Sequence, residues 1–224
     1  MANQDSSAPA GSGNEKPQDK PTVLLLVRHG NTATTGKILP GRSPGLNLSE
    51  EGIKQAESVA ERLEKTKTIA AIYASPLERA QQTAAPLSSR LGMEIETSDL
   101  ILECDFGDWT GKELKELYKL PEWNQVQRSP SNFRFPNGES FVDMGARTSR
   151  FAEMVQLKHP GETVVAFSHA DPIKILLCSA LGMHLDMFQR LTIATCSVSV
   201  ISYAPLVTQV LVSNWQTEFS TKAP

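Results

Sequence analysis

The chain is poor in cysteine, with three residues, Cys104, Cys178 and Cys196, among 224. An odd, widely scattered set with no Cys-x-x-Cys pair excludes a disulfide-stapled scaffold and reads as buried thiols in a reducing compartment. Nor is there a large excess of charge of either sign. With 22 Lys and Arg against 25 Asp and Glu, the net charge is −3. That balance argues against gripping nucleic acid by bulk charge, although it leaves room for a local basic pocket. No apolar run nears the ~20 residues of a membrane-crossing helix. The N-terminus has no basic-then-apolar leader either, so a cytoplasmic protein with neither membrane nor nucleic-acid partner is expected.

What is present is organised. Residues 1–20 are polar, rich in Pro, Gly and Ser, and free of large apolar side chains, so they are expected to form a disordered tail. Residues 21–224 then read as one catalytic domain. Val23 to Val27 form a continuous apolar run, the mark of a strand covered on both faces, and it stops at Arg28-His29-Gly30. After a Gly/Pro-punctuated loop, Ser49 caps a helix carrying Ile53, Ala56, Ala60 and Leu63 on one face. Ile69 to Ala74 is a second buried strand. Ser75-Pro76-Leu77-Glu78 opens another helix, with Ser75 as cap and Glu78 closing a capping box.

From about 111 to 137 the pattern loosens into short pieces that suggest a small helical cap inserted over the sheet. A long helix is expected from Glu139 to Lys158, with Phe141, Met144, Phe151 and Val155 as its stripe. Thr163 to Phe167 is another buried strand, ending at Ser168-His169. Asp171-Pro172 then starts a helix, with Asp171 as the cap, and two strands close the chain near 193–203 and 207–212. Alternating strands and helices predict an α/β fold, a three-layer αβα sandwich around a mostly parallel sheet.

In such a sheet ligands bind at the carboxyl ends of the strands. His29 and His169 sit just past two different strand ends, Arg28 precedes the first, and Arg79 opens the helix after a third strand. Two arginines offer forked donors to phosphoryl oxygens. A neutral imidazole can attack phosphorus, and a protonated one can stabilise the charge that develops. Singly, each His also fits a structural role and Arg79 fits a surface ion pair; it is their convergence that suggests phosphoryl chemistry. Trp109, Trp123, Phe133 and Phe135 fit either a substrate pocket or packing of the cap on the core. His159 and His184 read as turn residues at helix ends, and no spacing suggests a metal site.

The stretch Leu26-Val27-Arg28-His29-Gly30-Asn31-Thr32 resembles the Arg-His-Gly signature of the histidine phosphatase superfamily, which includes the cofactor-dependent phosphoglycerate mutases. Ser75 to Ala84, then Leu102-Glu103 with Phe106 to Gly111, and finally Ser168-His169 are similar to further family blocks in the same order. The resemblance runs from Thr22 to about Tyr203. It implies a phosphoglycerate mutase-like fold, His29 as phosphoryl acceptor, and Arg28, Arg79 and His169 lining the phosphate pocket, with Asn31 and Ala170 beside them. It also implies Glu103 as the acid that protonates the leaving oxygen and then activates water, with Asp105 as rival. Arg42, in a loop where relatives often carry an acid, is expected either to reach a substrate carboxylate or second phosphate or to lie on the surface.

The chain departs from the pattern after His169. Ala170-Asp171 stands where many relatives have Gly-Gly, a feature resembling a phosphomutase-type subgroup known from actinobacteria. The cap carries Lys112, Lys115, Lys119, Arg128 and Arg134 but no Arg-Arg pair. Holding a bisphosphorylated intermediate for back-transfer needs that extra binding. The expectation is therefore a phosphomonoesterase that uses neither metal nor cofactor and acts on a small phosphorylated substrate. A phosphomutase and a non-catalytic phosphate-binding module stay open as alternatives, as does a homodimer.

Overall fold

The computed structural model describes residues 20–66 and 68–216, so the tail expected over 1–20 lies, apart from Lys20, outside the described residues. The elements are β1 (Thr22–Arg28), α1 (Glu50–Leu63), β2 (Ile69–Ala74), α2 (Glu78–Leu91), β3 (Ile95–Thr97), α3 (Leu114–Leu117), α4 (Pro121–Arg128), α5 (Phe141–Lys158), β4 (Thr163–Ser168), α6 (Ala170–Ala180), β5 (Val198–Tyr203) and β6 (Thr208–Trp215). Together they build a six-stranded sheet in the order β3-β2-β4-β1-β5-β6. β3, β2, β4 and β1 run parallel, while β5 and β6 are antiparallel additions at one edge.

Alternation along β1 explains the three layers. Leu24 and Leu26 face the side covered by α5 and α6, packing with Phe151, Val155, Ile173 and Leu176. Leu25 and Val27 face the other side, with Val59 and Leu63 of α1 and Leu87 of α2. An apolar side chain is thus needed at every position of the run, as its composition implied. The cap of α3, α4 and the turn after them is helical and small. Its Leu117, Val126, Phe133 and Phe135, together with Trp109, pack on Phe141, Met144, Ile175 and Phe188. Those aromatics are therefore packing residues between cap and core, with Phe135 and Trp109 in edge contact, ring centroids 5.3 Å apart.

Several boundaries differ from expectation. α2 starts at Glu78 with Leu77 as its N-cap and no side-chain cap, because the Ser75 hydroxyl and Glu78 carboxylate are engaged elsewhere. α5 starts at Phe141 behind a capping box of Ser140 and Asp143, which leaves Glu139 outside the helix. The cap of α6 is His169, not Asp171, which sits in the first turn 3.6 Å from the Lys174 ammonium. β5 starts at Val198. The segment before it turns through Cys196, at a φ of 52°, and bonds back to the end of β1. The short edge strand β3 had no distinct apolar pattern to announce it. Among the described residues no helix is long and apolar enough to cross a membrane.

Candidate active site

Strand register brings the two histidines together. β1 and β4 are paired in parallel with Arg28 opposite Ser168, so the next residue of each strand, His29 and His169, emerges at the same sheet edge. Their rings lie 5.2 Å apart, centroid to centroid. β2 ends one strand further over with Ala74 opposite Phe167, which places Ser75 beside His169. Its hydroxyl is 2.8 Å from His169 Nε2.

The turn after β1 is locked by close backbone approach. A Cβ on Gly30 would lie 2.6 Å from the Gly52 carbonyl oxygen, and one on Gly52 would lie 2.1 Å from that of Asn31. Only glycine lets the first turn of α1 press against this loop. The Gly30 N–H donates to Thr83 Oγ1, whose hydroxyl donates to the Arg79 carbonyl, so the loop is also tied to α2.

This packing settles the state of His29. Its Nδ1 is 2.8 Å from the Gly30 carbonyl oxygen. A carbonyl can only accept, so Nδ1 carries the proton and Nε2 keeps its lone pair. Burial, then the charges of Arg28 and Arg79, hold the His29 pKa well below its ordinary value, and the ring is neutral. Burial and the same two arginines do this to His169 as well. The second imidazole, allowed for from sequence as protonated, is therefore a neutral one. Ser75 Oγ accepts from the Leu77 N–H and is the hydrogen-bond partner of His169 Nε2, which leaves Nδ1 as the ring nitrogen not engaged by Ser75.

Among the described residues that Nδ1 has no hydrogen-bond partner, and neither do Arg79 Nε, Arg79 Nη1 and Arg28 Nε, although all four atoms are buried. Arg79 is wholly buried. Its remaining nitrogen, Nη2, donates to the Gly41 carbonyl at 2.8 Å, and Arg28 Nη1 donates to the Ile193 carbonyl at 2.6 Å. Leaving buried charged donors unpaired costs stability, and such groups call for a ligand. Two guanidinium groups and a second imidazole around a nucleophilic imidazole match a tetrahedral anion.

Glu103 is buried in the same pocket. Burial first, then the charge of Asp171, pushes its carboxyl up to about 7, against the opposing pull of the Cys104 N–H, Arg79 and Arg28. Its Oε1 accepts from Cys104 N at 2.9 Å. Asp105, the rival, is 45% exposed and accepts from Gly107 N instead. Asn31 is half-buried, its main chain tied to Gln55 and Ser49, and Ala170 is the first residue of α6.

Arg42 does not stand free to meet a substrate. Its Nε donates to the Glu103 carbonyl at 2.9 Å and its Nη2 to Glu139 Oε2 at 3.0 Å. Arg147, absent from the sequence-based site, joins the same cluster: Nε to Glu139 Oε1 at 2.6 Å, Nη2 to Glu139 Oε2 at 3.0 Å and to the Glu103 carbonyl at 3.2 Å. The one signal for it was its place on the apolar stripe of α5, between Met144 and Phe151.

A sequence profile of the histidine phosphatase superfamily (branch 1) matches residues 24–216. The chain belongs to this superfamily. It is 34% identical over 183 residues to phosphoserine phosphatase 1 of Hydrogenobacter thermophilus, covering 80% of this chain and 85% of that one. To a probable phosphoglycerate mutase of Yersinia pestis it is 30% identical, covering 80% and 84%. It also matches a bifunctional protein of Mycobacterium tuberculosis at 34% identity but spans only 54% of that protein's length, about half. Among solved structures, a mycobacterial glucosyl-3-phosphoglycerate phosphatase superposes with a TM-score of 0.77 at 26% identity, over 88% of this chain and 100% of that one. Phosphatases and a probable mutase alike are among the proteins this chain resembles.

Proposed function

We propose that this protein is a metal-independent phosphomonoesterase that hydrolyses a small phosphorylated metabolite through a phosphohistidine at His29. The observation that carries the reading is the cluster of buried, unpartnered donors around a neutral imidazole whose Nε2 lone pair is free. His29 Nε2 attacks phosphorus and the P–O ester bond breaks. Glu103, protonated up to about pH 7, gives its proton to the departing alcohol oxygen. Glu103, now a carboxylate, takes a proton from water. The resulting hydroxide equivalent attacks phosphorus, the P–N bond breaks, and phosphate leaves with Glu103 reprotonated. Arg28, Arg79 and His169 bind the oxygens throughout, with Asn31 and Ala170 at the pocket wall.

Hydrolysis is favoured over mutase turnover by the cap. Lys115 pairs with Glu113, Lys119 with Glu116 and Arg134 with Asp143, all on the exposed surface. Lys112 and Arg128 are exposed as well. A second phosphate or a carboxylate would thus find no basic cluster from the cap, and water competes for the phosphoenzyme.

The test is acid-quench trapping of labelled phosphate from an aryl phosphate in the presence of chelator. Acid-labile, base-stable label on the wild type that is absent from His29→Ala, followed by release to water, supports the reading. Label passed to an acceptor hydroxyl without free phosphate would make it a mutase. Turnover undiminished in His29→Ala would overturn the nucleophile assignment.

A further inference from the structure

Glu103 must deliver a proton to an oxygen whose position is dictated by His29 and the arginines, yet among the described residues its carboxyl has one hydrogen bond, to the adjacent Cys104 N–H. Its aim therefore depends on the backbone of its own segment. Besides the Ser168 hydroxyl on the Ile101 carbonyl and the Glu139 N–H on the Asp105 carbonyl, side chains of Arg42, Glu139 and Arg147 hold that backbone at three points. Arg147 Nη1 donates to the Leu100 carbonyl at 3.0 Å, Arg42 Nε and Arg147 Nη2 share the Glu103 carbonyl, and Glu139 Oε2 accepts from Asp105 N at 3.0 Å. Glu139 ties the two guanidinium groups together, gripping Arg147 with both oxygens and Arg42 with one. The side chains of Glu139 and Arg147 are 11% and 10% exposed, so these bonds are shielded from water. The loop that carries Arg42 also holds Arg79 through the Gly41 carbonyl, which links the acid segment to a phosphate-binding arginine.

We propose that Arg42, Glu139 and Arg147 form a clamp whose task is to aim the Glu103 carboxyl at the leaving-group oxygen, making all three positioning residues for proton transfer. The inference rests on the phosphohistidine reading above. Misplacing a reacting group by about 1 Å can cost 10²-fold, but only where the proton is needed. A basic alcohol cannot depart without it, whereas a dinitrophenolate can.

Arg147→Met and Arg42→Gln are compared with the wild type on glycerol phosphate and on 2,4-dinitrophenyl phosphate in single-turnover experiments, with Glu103→Gln as reference. The expected result is a loss of roughly 10²-fold in phosphorylation from the alkyl ester, under about threefold from the dinitrophenyl ester, and vanadate affinity within about twofold of wild type. Labelled enzyme should also accumulate, since Glu103 serves as base in the second step. Equal loss on both esters, or loss on neither, would overturn the clamp. Arg42→Gln, at the 33% exposed end of the cluster, carries the same comparison should Arg147→Met not fold. Were the phosphohistidine reading itself wrong, the wild type would give no label from either ester, a result distinct from uniform loss in a variant.

Discussion

Glu103 shows what a single buried carboxyl costs and does. Its folded value of about 7 lies above the ordinary 4.5, so the native state holds its proton where the unfolded chain has lost it. Stability from this group is unaffected below about pH 4.5, falls as pH rises toward 7, and is lowest above 7, by about 3 kcal/mol. Glu103→Gln should therefore raise the melting temperature at pH 8 and leave it nearly unchanged at pH 4.5, as scanning calorimetry would show. In the proposed first step the acid must be protonated, so kcat/KM for an alkyl phosphate should decline above about pH 7. The same substitution should lower turnover by 10²–10⁴ and abolish that limb. A pH profile whose limb survives in Glu103→Gln would assign the proton to another group.

At the scale of elements, the decisive contact is the one between the turn after β1 and the first turn of α1. Gly52→Ala would drive a methyl into the Asn31 carbonyl. A loss of about 1–3 kcal/mol is expected from such overpacking, read as a lower midpoint in urea, with activity falling because Gly30 and His29 shift together. The elements themselves were largely legible beforehand. β1 is apolar from Val23 to Val27 and β4 from Val164 to Phe167 because both faces are covered, and each run gives way to one polar residue and then a histidine. α1 carried its Ser49 cap and Ala56, Ala60 and Leu63 of its stripe in plain sight, but Ile53 is exposed, and Gly52 and Val59 are the buried residues the sequence reading missed. Other features depend on partners distant in sequence. Ser75 and Glu78 have the chemistry of helix caps, and nothing local says that the hydroxyl goes to His169 and the carboxylate to Gly45. Likewise Ile193 and Cys196 read as strand, yet their main chain closes the end of β1 around Arg28. Glu139 looked like the start of a helix, and its bonds to Arg42, 97 residues away, exist only once the sheet has formed.

Taken whole, the molecule keeps its reactive groups at one edge of the sheet and hides its other nucleophiles. Cys104, Cys178 and Cys196 are all buried, and burial pushes each thiol upward. An aromatic disulfide reagent should label none of them on the timescale of an assay and all three after denaturation; a fast-reacting native thiol would contradict this packing. The pocket's unpartnered nitrogens lead to a last consequence. Donors that the protein does not satisfy make the unliganded protein less stable than its fold would allow, and inorganic phosphate, the product of the proposed hydrolysis, supplies the missing acceptors. Product inhibition and thermal protection are then one free energy seen from two sides. At phosphate concentrations 100 times the dissociation constant the native state should gain about 2.7 kcal/mol, and a melting curve titrated with phosphate should return the constant that inhibits turnover. In a cell whose phosphate level falls, the enzyme would be released from inhibition and brought closer to unfolding at the same moment.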